Sequence, residues 1–218
     1  VVENGVLQEV HVERTQRRGI VGNIYKGKVV RVLPGMQAAF VDIGLDRAAF
    51  IHASEISLRE GQAVESISAL VHEGQSLVVQ VTKDPIASKG ARLTTQLSIP
   101  SRYLVYMPRT AHVGISLKIE DEAERERLKQ VVSDCVAQEG IKEAGGFILR
   151  TAAEGAGADE ILMDIRYLRR LWDQIGLQIK TAGAPSVIYE DLGLALRTLR
   201  DLVSPKIEKI RIDSRETF

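Results

Sequence analysis

The residues best placed to do chemistry in this 218-residue chain are two phenylalanines in the stretch 22–56. Its β-branched runs and a Pro-Gly pair predict three strands joined by tight turns. Side chains alternate between the faces of a strand, so if the small and branched residues beside them face a core, Phe40 and Phe50 face outwards. Three basic residues are close in the sequence: Lys26, Lys28 and Arg31. Outward rings beside cations are typical of a surface that stacks nucleobases, although the opposite strand phase, with both rings in the core, remains open.

A second candidate is Arg150 with Thr151, at the end of a short apolar strand predicted at 147–149. The pair enters a glycine-containing loop, which precedes a helix predicted at 158–175. A guanidinium fork and a neighbouring hydroxyl suit phosphate oxygens, so this arrangement would make an anion site. The pattern alone favours a simpler interpretation, a surface arginine at the end of a strand.

These candidates need a scaffold, and the hydrophobic periodicity predicts one. Five short strands with a polar link after the third are typical of an OB-type barrel, which binds oligonucleotides on one face. The predicted barrel strands are 24–33, 36–43, 48–51, 76–83 and 91–99. A small α/β unit follows, with strands at 103–107, 113–119 and 147–149 and helices at 120–139 and 158–175. Around them we expect a hairpin in 1–19, a helix at 192–202 and a strand at 209–213, which makes the fold class α+β.

Composition excludes several classes of site. The chain has 29 basic and 29 acidic residues, so any affinity for nucleic acid must come from a local cluster of cations. Cys135 is the single cysteine, which excludes an internal disulfide and a CxxC metal site within one chain and fits a reducing cytoplasm. The four histidines stand apart, without the spacing of a metal site, and no apolar run is long enough to span a membrane.

Four segments, in this order, resemble the bacterial RNase E/G endoribonucleases, most closely the ribonuclease G branch. They are GNIYKGKVVRVLPGMQAAFVDIGLDRAAFIHASEI, KGARLTTQLSIPSRYLVYMP, GGFILRTAAEG and KIRIDSRETF, and together they extend over nearly the whole chain. The resemblance implies an OB-type RNA-binding barrel at 21–100 and a small α/β 5′-phosphate sensor unit at 101–183. Both would be inserted into a split RNase H-like subdomain, whose two parts are 1–20 and 184–218, the second truncated.

The resemblance also implies two sets of binding residues. For RNA on the barrel they are Phe40, Phe50 and Lys89. For a 5′-monophosphate they are Ser101, Val105, Arg150 and Thr151. The strand pattern reaches the two phenylalanines independently, whereas Lys89 rests on the resemblance alone. Leu117 stands where some relatives have an arginine, which predicts a weaker site for a terminal phosphate.

The function that the resemblance implies is a cytoplasmic, dimeric, single-strand-specific endoribonuclease of rRNA processing and mRNA decay. In the family, two aspartates hold magnesium (Mg²⁺) for cleavage and cysteine pairs from two subunits share zinc (Zn²⁺), all in a later subdomain. We therefore expect no catalytic or metal-binding residue here, and a chain that is the N-terminal part of a longer protein and inactive alone. Two alternatives remain: a non-catalytic OB-fold RNA-binding protein, and a nuclease in its own right that uses Asp42, Asp46 or Asp84.

Overall fold

The computed structural model describes residues 1–14, 18–56, 66–87, 89–140, 145–203, 207–213 and 215. The chain divides into two compact units, a larger one at Ile20–Asp191 and a smaller one made of Val1–Gly19 and Leu192–Phe218. Most of the basic run at 14–18, and part of the polar link after the third barrel strand, lie outside the described residues. Within the described ranges, no helix is both long and apolar enough to cross a membrane.

The described residues form twelve strands and four α-helices. The strands are β1 (Val2–Glu3), β2 (Val6–Leu7), β3 (Ile24–Leu33), β4 (Ala38–Asp42), β5 (Ala49–His52), β6 (Ser76–Lys83), β7 (Arg92–Thr94), β8 (Ile99–Pro100), β9 (Leu104–Met107), β10 (Val113–Ile115), β11 (Gly146–Leu149) and β12 (Ser186–Tyr189). The helices are α1 (Ile67–Leu70), α2 (Glu122–Gln138), α3 (Ala158–Thr181) and α4 (Leu194–Leu202). Single 3₁₀ turns occur at Pro34–Met36, Ala53–Glu55 and Thr151–Ala153.

Five strands of the larger unit close into a barrel, in the order β3-β4-β5-β7-β6 and back to β3. β5 and β7 are parallel, and the other neighbours are antiparallel. The strands form because β-branched and small residues alternate with outward ones, which suits a surface buried on one side. The barrel core contains these fully or almost fully buried side chains, among others: Val29, Val41, Ile51, Val79 and Leu93. The predicted five-stranded OB-type barrel is confirmed.

The fifth barrel strand is shorter than the sequence predicts. The prediction is one strand at 91–99, whereas β7 ends at Thr94 and β8 belongs to a different sheet. The hydroxyls of Thr94 and Thr95 both donate to the carbonyl oxygen of Glu55, at 3.1 and 3.2 Å, which ends the barrel ladder. The sequence pattern does not show where β7 ends, because Leu97 is also buried, in the core of the α/β unit. The alternation of apolar and polar residues therefore continues past the end of the strand.

The predicted α/β unit is present with one strand more than the three predicted: its sheet has the order β10-β11-β9-β8, and α2 and α3 pack together over it. Alternate residues of β9 and β11 share one face, and those that face the helices are fully buried: Leu104, Tyr106, Phe147 and Leu149. α3 continues to Thr181, beyond its predicted end at 175, and the strand predicted at 113–119 ends at Ile115. This sheet and its helices form the second core of the larger unit.

The sequence does not predict β12, which returns from the end of α3 and pairs antiparallel with β3. The pairing places 186–189 in the larger unit, whereas the resemblance puts a boundary after residue 183. β3 therefore contributes to both cores. Ile24 is buried in the core of the α/β unit, and the next residue, Tyr25, is buried in the barrel core.

The smaller unit is made of short elements. β1 and β2 form the predicted hairpin, with Asn4 and Gly5 in the left-handed conformation at its turn. α4 confirms the helix predicted at 192–202. The strand predicted at 209–213 is wrong, because the described residues there have no strand structure. A strand needs a partner for its backbone groups, and no described segment pairs with this one.

Candidate nucleic-acid interface

Phe40 on β4 and Phe50 on β5 are directly opposite each other in the antiparallel ladder. Their ring centroids are 6.2 Å apart and their planes meet at 65°, an edge-to-face arrangement. Both residues are half-buried. The four residues that flank them along the strands are fully buried: Ala39, Val41, Ala49 and Ile51. The predicted outward orientation of the two rings is therefore confirmed.

The two rings line a cavity with a volume of about 1050 Å³. Five basic residues line it: Arg31, Arg47, Lys83, Lys89 and Arg92. Asp84 is the one acidic residue among its described lining, and its carboxylate accepts a hydrogen bond from the backbone N–H of Ile20 at 2.7 Å. Arg92 forms an ion pair with Glu55 at 3.0 Å. Although the chain has no net charge, this face is locally positive.

Lys89 is exposed and lies in the connection between β6 and β7. Its N–H donates to the carbonyl of Ile86 at 2.8 Å, and the N–H of Ile86 donates back at 3.1 Å, which closes a tight turn. The next residue has to be glycine, because a Cβ at Gly90 would lie 2.0 Å from the carbonyl oxygen of Ala48. This close approach of two backbones brings Lys89 into the same cavity as the phenylalanines.

Two of the three basic residues that the sequence associates with the phenylalanines lie elsewhere. Lys26 donates to the carbonyl oxygens of Ile179 and Ala182, at 2.9 and 2.8 Å, at the end of α3. Lys28 is exposed but is not in the cavity lining. Sequence reasoning misses three cations that reach the cavity from other strands and loops: Arg47, Lys83 and Arg92. The strand pattern could have indicated two of them, Lys83 and Arg92, because they lie opposite each other where β6 pairs with β7.

Arg150 and Thr151 follow the end of β11, where a 3₁₀ turn begins. One guanidinium nitrogen of Arg150 donates to the carbonyl oxygens of Ser101 and, at 3.2 Å, of Arg102. The hydroxyl of Thr151 lies 3.1 Å from that of Ser116. Arg150, Thr151 and Ser116 line a cavity of about 310 Å³. The structure thus brings the predicted arginine and threonine together and adds a second hydroxyl, which the sequence analysis does not assign.

The other two residues predicted for the phosphate site are placed differently. Neither Ser101 nor Val105 is among the described residues that line this cavity. The hydroxyl of Ser101 donates to Asp164 at 2.6 Å and the residue is 2% exposed, so its carbonyl oxygen rather than its hydroxyl contacts the arginine. Val105 is half-buried on β9, opposite Ile148 of β11.

Asp164 on α3 holds the turn that supplies these carbonyl groups. One of its carboxylate oxygens accepts hydrogen bonds from the Ser101 hydroxyl at 2.6 Å and from the N–H groups of Tyr103 and Leu104 at 2.9 and 3.1 Å. Burial raises the pKa of Asp164, and these hydrogen bonds oppose the rise. Since the same turn accepts hydrogen bonds from Arg150, Asp164 acts on the arginine through the backbone.

The loop after Thr151 is tied to α2 by Glu124, whose carboxylate accepts a hydrogen bond from the N–H of Gly155 at 2.8 Å. Arg127 donates two hydrogen bonds to the same carboxylate, at 2.6 and 2.7 Å, and one to the carbonyl of Ala156 at 3.0 Å. These donors, Arg127 first, lower the pKa of Glu124 from its usual 4.5 to about 2. At neutral pH the ionised carboxylate therefore fixes the loop that carries the threonine.

Two of the three carboxylates considered as catalytic groups, Asp42 and Asp84, have roles in loop structure. Asp42 accepts a hydrogen bond from the N–H of Gly44 at 2.9 Å, and Asp84 accepts one from the N–H of Ile20. In the described part of the chain, no group of three or more His, Cys, Asp or Glu residues could hold a metal ion. Cys135 is buried, and burial raises the pKa of its thiol. What the arrangement offers chemically is base stacking on one face and anion binding at a second cavity.

Two family models match the chain. The S1 RNA binding domain matches residues 20–92, which include nearly all of the barrel. The Ribonuclease E/G family matches residues 98–218, slightly more than half of the chain.

Curated relatives carry the same family names. The chain is 53% identical over its whole length to Ribonuclease G of Escherichia coli (strain K12) and 51% identical to Ribonuclease G of Haemophilus influenzae, and it covers 45% of each. It is 37% identical, over 89% of its length, to Ribonuclease E of Nostoc, of which it covers 28%. The chain thus spans about half the length of the ribonuclease G relatives that it matches.

Proposed function

This chain belongs to the ribonuclease E/G family, and we propose that it is the RNA-binding and 5′-monophosphate-sensing region of a single-strand-specific endoribonuclease. The observation that carries the proposal is the outward pair of Phe40 and Phe50, set among five basic side chains on a barrel that matches the S1 RNA-binding model. The alternative of an OB-fold RNA-binding protein without a nuclease is not favoured, because the family match extends over 98–218, well beyond the barrel.

On the barrel, single-stranded RNA stacks its bases on the two rings. Every base has a π-face, so stacking tolerates any sequence and is worth about 1–3 kcal/mol per base. Because the planes of Phe40 and Phe50 meet at 65°, bases stacked on both rings are not parallel, and the strand bends between them. Lys89 and the neighbouring cations contact phosphates, which makes binding weaken as salt is raised. A duplex is a poorer ligand because both faces of its bases are already covered.

At the second cavity, Arg150, Thr151 and Ser116 bind the 5′-monophosphate of the RNA. A terminal phosphate brings charge and several acceptor oxygens, which a guanidinium and two hydroxyls can hold together, whereas a 5′-hydroxyl brings no charge. Charge-assisted hydrogen bonds are worth about 1.5–3 kcal/mol each, so we expect at least a roughly tenfold preference for the monophosphate. The carbonyl oxygens that accept from Arg150 fix the orientation of its guanidinium.

Phosphodiester cleavage, rRNA processing, mRNA decay, a cytoplasmic location and a dimeric state belong to our proposal for the whole protein. The family's chemistry needs two aspartates for magnesium and a CxxC pair for a shared zinc. Cys135 is the single cysteine, so this chain has no CxxC pair, and the resemblance places both the zinc cysteines and the magnesium aspartates in a later subdomain. We therefore assign the catalytic groups to residues outside this chain, and the smaller unit to a split RNase H-like subdomain.

The barrel site is tested by the fluorescence anisotropy of labelled RNA mixed with the purified chain. The wild-type chain should bind a single strand more tightly than a duplex of the same sequence. Replacing both Phe40→Ala and Phe50→Ala removes two stacked bases, so affinity for the single strand should fall by at least about 30-fold. A double variant that keeps its circular dichroism spectrum and binds RNA like the wild type would show that the barrel proposal is wrong.

The phosphate site is tested with matched short RNAs that carry a 5′-monophosphate or a 5′-hydroxyl. Arg150→Ala should abolish the preference for the monophosphate. Arg150→Lys keeps the charge but loses the fork, so it should restore the preference only in part. Thr151→Val, which removes one hydroxyl and keeps the shape, should have a smaller effect. Equal affinity of the wild-type chain for both RNAs contradicts the sensor assignment.

The assignment of cleavage to the rest of the protein has its own test. The purified chain, incubated with RNA and magnesium, should leave the RNA intact. Magnesium-dependent cleavage that is lost in Asp42→Asn or Asp84→Asn would instead make this chain a nuclease in its own right.

A further inference from the structure

Two aliphatic side chains of the RNA cavity are strongly exposed to solvent. Met36 is 61% exposed and Ile86 is 68% exposed, and both line the cavity that contains Phe40 and Phe50. Single exposed apolar residues are ordinary on protein surfaces. These two differ because they share an aromatic cavity and because specific hydrogen bonds fix the backbone that carries each of them.

The turn that carries Ile86 is held from two sides. Ile86 and Lys89 exchange backbone hydrogen bonds of 3.1 and 2.8 Å across the turn. Arg47, from the loop between β4 and β5, donates to the carbonyl oxygen of Ala87 at 2.6 Å. The side chain of Ile86 is therefore presented from a turn that is tied to the barrel without any help from a ligand.

The turn that carries Met36 is held by its neighbour, Gln37. The side-chain amide of Gln37 donates to the carbonyl of Pro34 at 2.8 Å and accepts from the N–H of Ile67 at 3.0 Å. The backbone carbonyl of the same glutamine accepts from the N–H of Ala53 at 2.8 Å. Met36 thus also projects from an ordered turn, next to the start of β4.

We propose that Met36 and Ile86 contact nucleobases and, with the two phenylalanines, form an apolar site for unpaired bases. The proposal rests on the proposed function of the barrel and extends it to two residues that carry no charge. The occupant is single-stranded RNA, because the same cavity is lined by five basic side chains that complement a phosphate backbone. An unpaired base can place its faces and edges against aliphatic groups, whereas the bases of a duplex are stacked and paired.

The test compares Met36→Ala and Ile86→Ala with the wild-type chain in anisotropy titrations over a range of salt concentrations. Each variant should bind single-stranded RNA about three- to tenfold more weakly, because apolar contact area is lost. The slope of log K against log salt should not change, because no phosphate contact is removed. With an abasic oligomer of the same length, which has the sugar-phosphate backbone but no bases, the variants and the wild type should bind equally.

Met163→Ala is the matched control, since Met163 is 67% exposed on α3 and does not line the cavity. It should bind both oligomers like the wild type. If Met36→Ala and Ile86→Ala also bind like the wild type while the phenylalanine double variant does not, this inference is wrong and the proposed function stands. A changed salt slope in either variant also overturns it, because it would indicate a phosphate contact. If the phenylalanine double variant keeps full affinity, the proposed function itself fails.

Discussion

The carboxylate of Asp164 offers a quantitative test of how the cavity that we propose for the 5′-phosphate is built. It accepts three hydrogen bonds from the 101–104 turn. Asp164→Ala leaves the N–H groups of Tyr103 and Leu104 without their acceptor, whereas the Ser101 hydroxyl keeps a second acceptor, the carbonyl oxygen of Leu104, at 3.0 Å. At a net worth of about 1 kcal/mol per hydrogen bond, the free energy of unfolding should fall by about 2–3 kcal/mol. The turn also supplies the carbonyls that orient Arg150, so the preference for a 5′-monophosphate should be lost in the same variant.

Asp164→Asn separates the two roles of this residue, its charge and its position. The amide keeps an oxygen where the carboxylate has one, so the turn and the 5′-end preference should be largely retained, with a loss of about 1 kcal/mol or less. Urea unfolding measures the stability, and anisotropy with matched 5′ ends measures the preference. RNA binding on the barrel provides the internal control, because the phenylalanine face should be unchanged in both variants while the protein is folded.

The pKa of Asp164 gives a second readout. Because burial raises this pKa above its usual 3.8, the folded protein binds the proton more tightly than the unfolded chain does. The resulting contribution to stability is present below about pH 3.8 and is lost as the pH rises through the folded pKa. Asp164→Asn should lack this pH dependence. The reasoning is refuted if Asp164→Ala loses less than about 1 kcal/mol, or if it loses stability and keeps the full 5′-end preference.

Three further outcomes follow from single contacts. Phe40→Ala should cost about 1–3 kcal/mol in urea unfolding, for its edge-to-face pair with Phe50 and the buried part of its ring, and a loss of about 4 kcal/mol or more would mean that the ring is part of the core. Lys89→Ala should weaken binding equally for all RNA sequences and reduce the log–log salt slope by about 0.7, and an unchanged slope would limit Lys89 to a role in its turn. Glu124, whose folded pKa is about 2, stabilises the fold fully above its usual 4.5 and loses this contribution as the pH falls towards 2. Thermal unfolding of Glu124→Gln should therefore vary less over that pH range than that of the wild type, and identical profiles would contradict the role of the Arg127 pair.

The orientation of the phenylalanines could be predicted from the sequence because it depends on local alternation. Each ring has a small or branched residue on either side along its strand, and those neighbours are fully buried. The position of Lys26 could not be predicted in this way. Its partners are the carbonyls of Ile179 and Ala182, which lie 153 and 156 residues further along the chain. Nearness in sequence to the phenylalanines therefore indicated the wrong surface for this lysine.

The proposed phosphate cavity likewise combines residues that one segment of the sequence predicts with residues that it does not. Arg150 and Thr151 were assigned from one continuous segment, and the structure brings them together with a serine that the sequence did not assign. Ser116 lies 35 residues before the threonine that it contacts, and Asp164 lies 63 residues after Ser101. No periodicity within a strand or helix links such positions. The supporting hydrogen bonds of the cavity become visible only once β9, β11 and α3 are packed together.

A single strand, β3, joins the two halves of the larger unit. Because successive side chains point to opposite faces, Ile24 can be buried in the core of the α/β unit while Tyr25 is buried in the barrel core. Lys26 then donates to the end of α3, and β12 pairs along the same stretch. Cutting the chain after residue 92, where the S1 match ends, would expose the side chain of Ile24 and leave Lys26 without its acceptors. The S1 match therefore ends within the folded unit, whose single scaffold includes both the proposed RNA face and the proposed phosphate cavity.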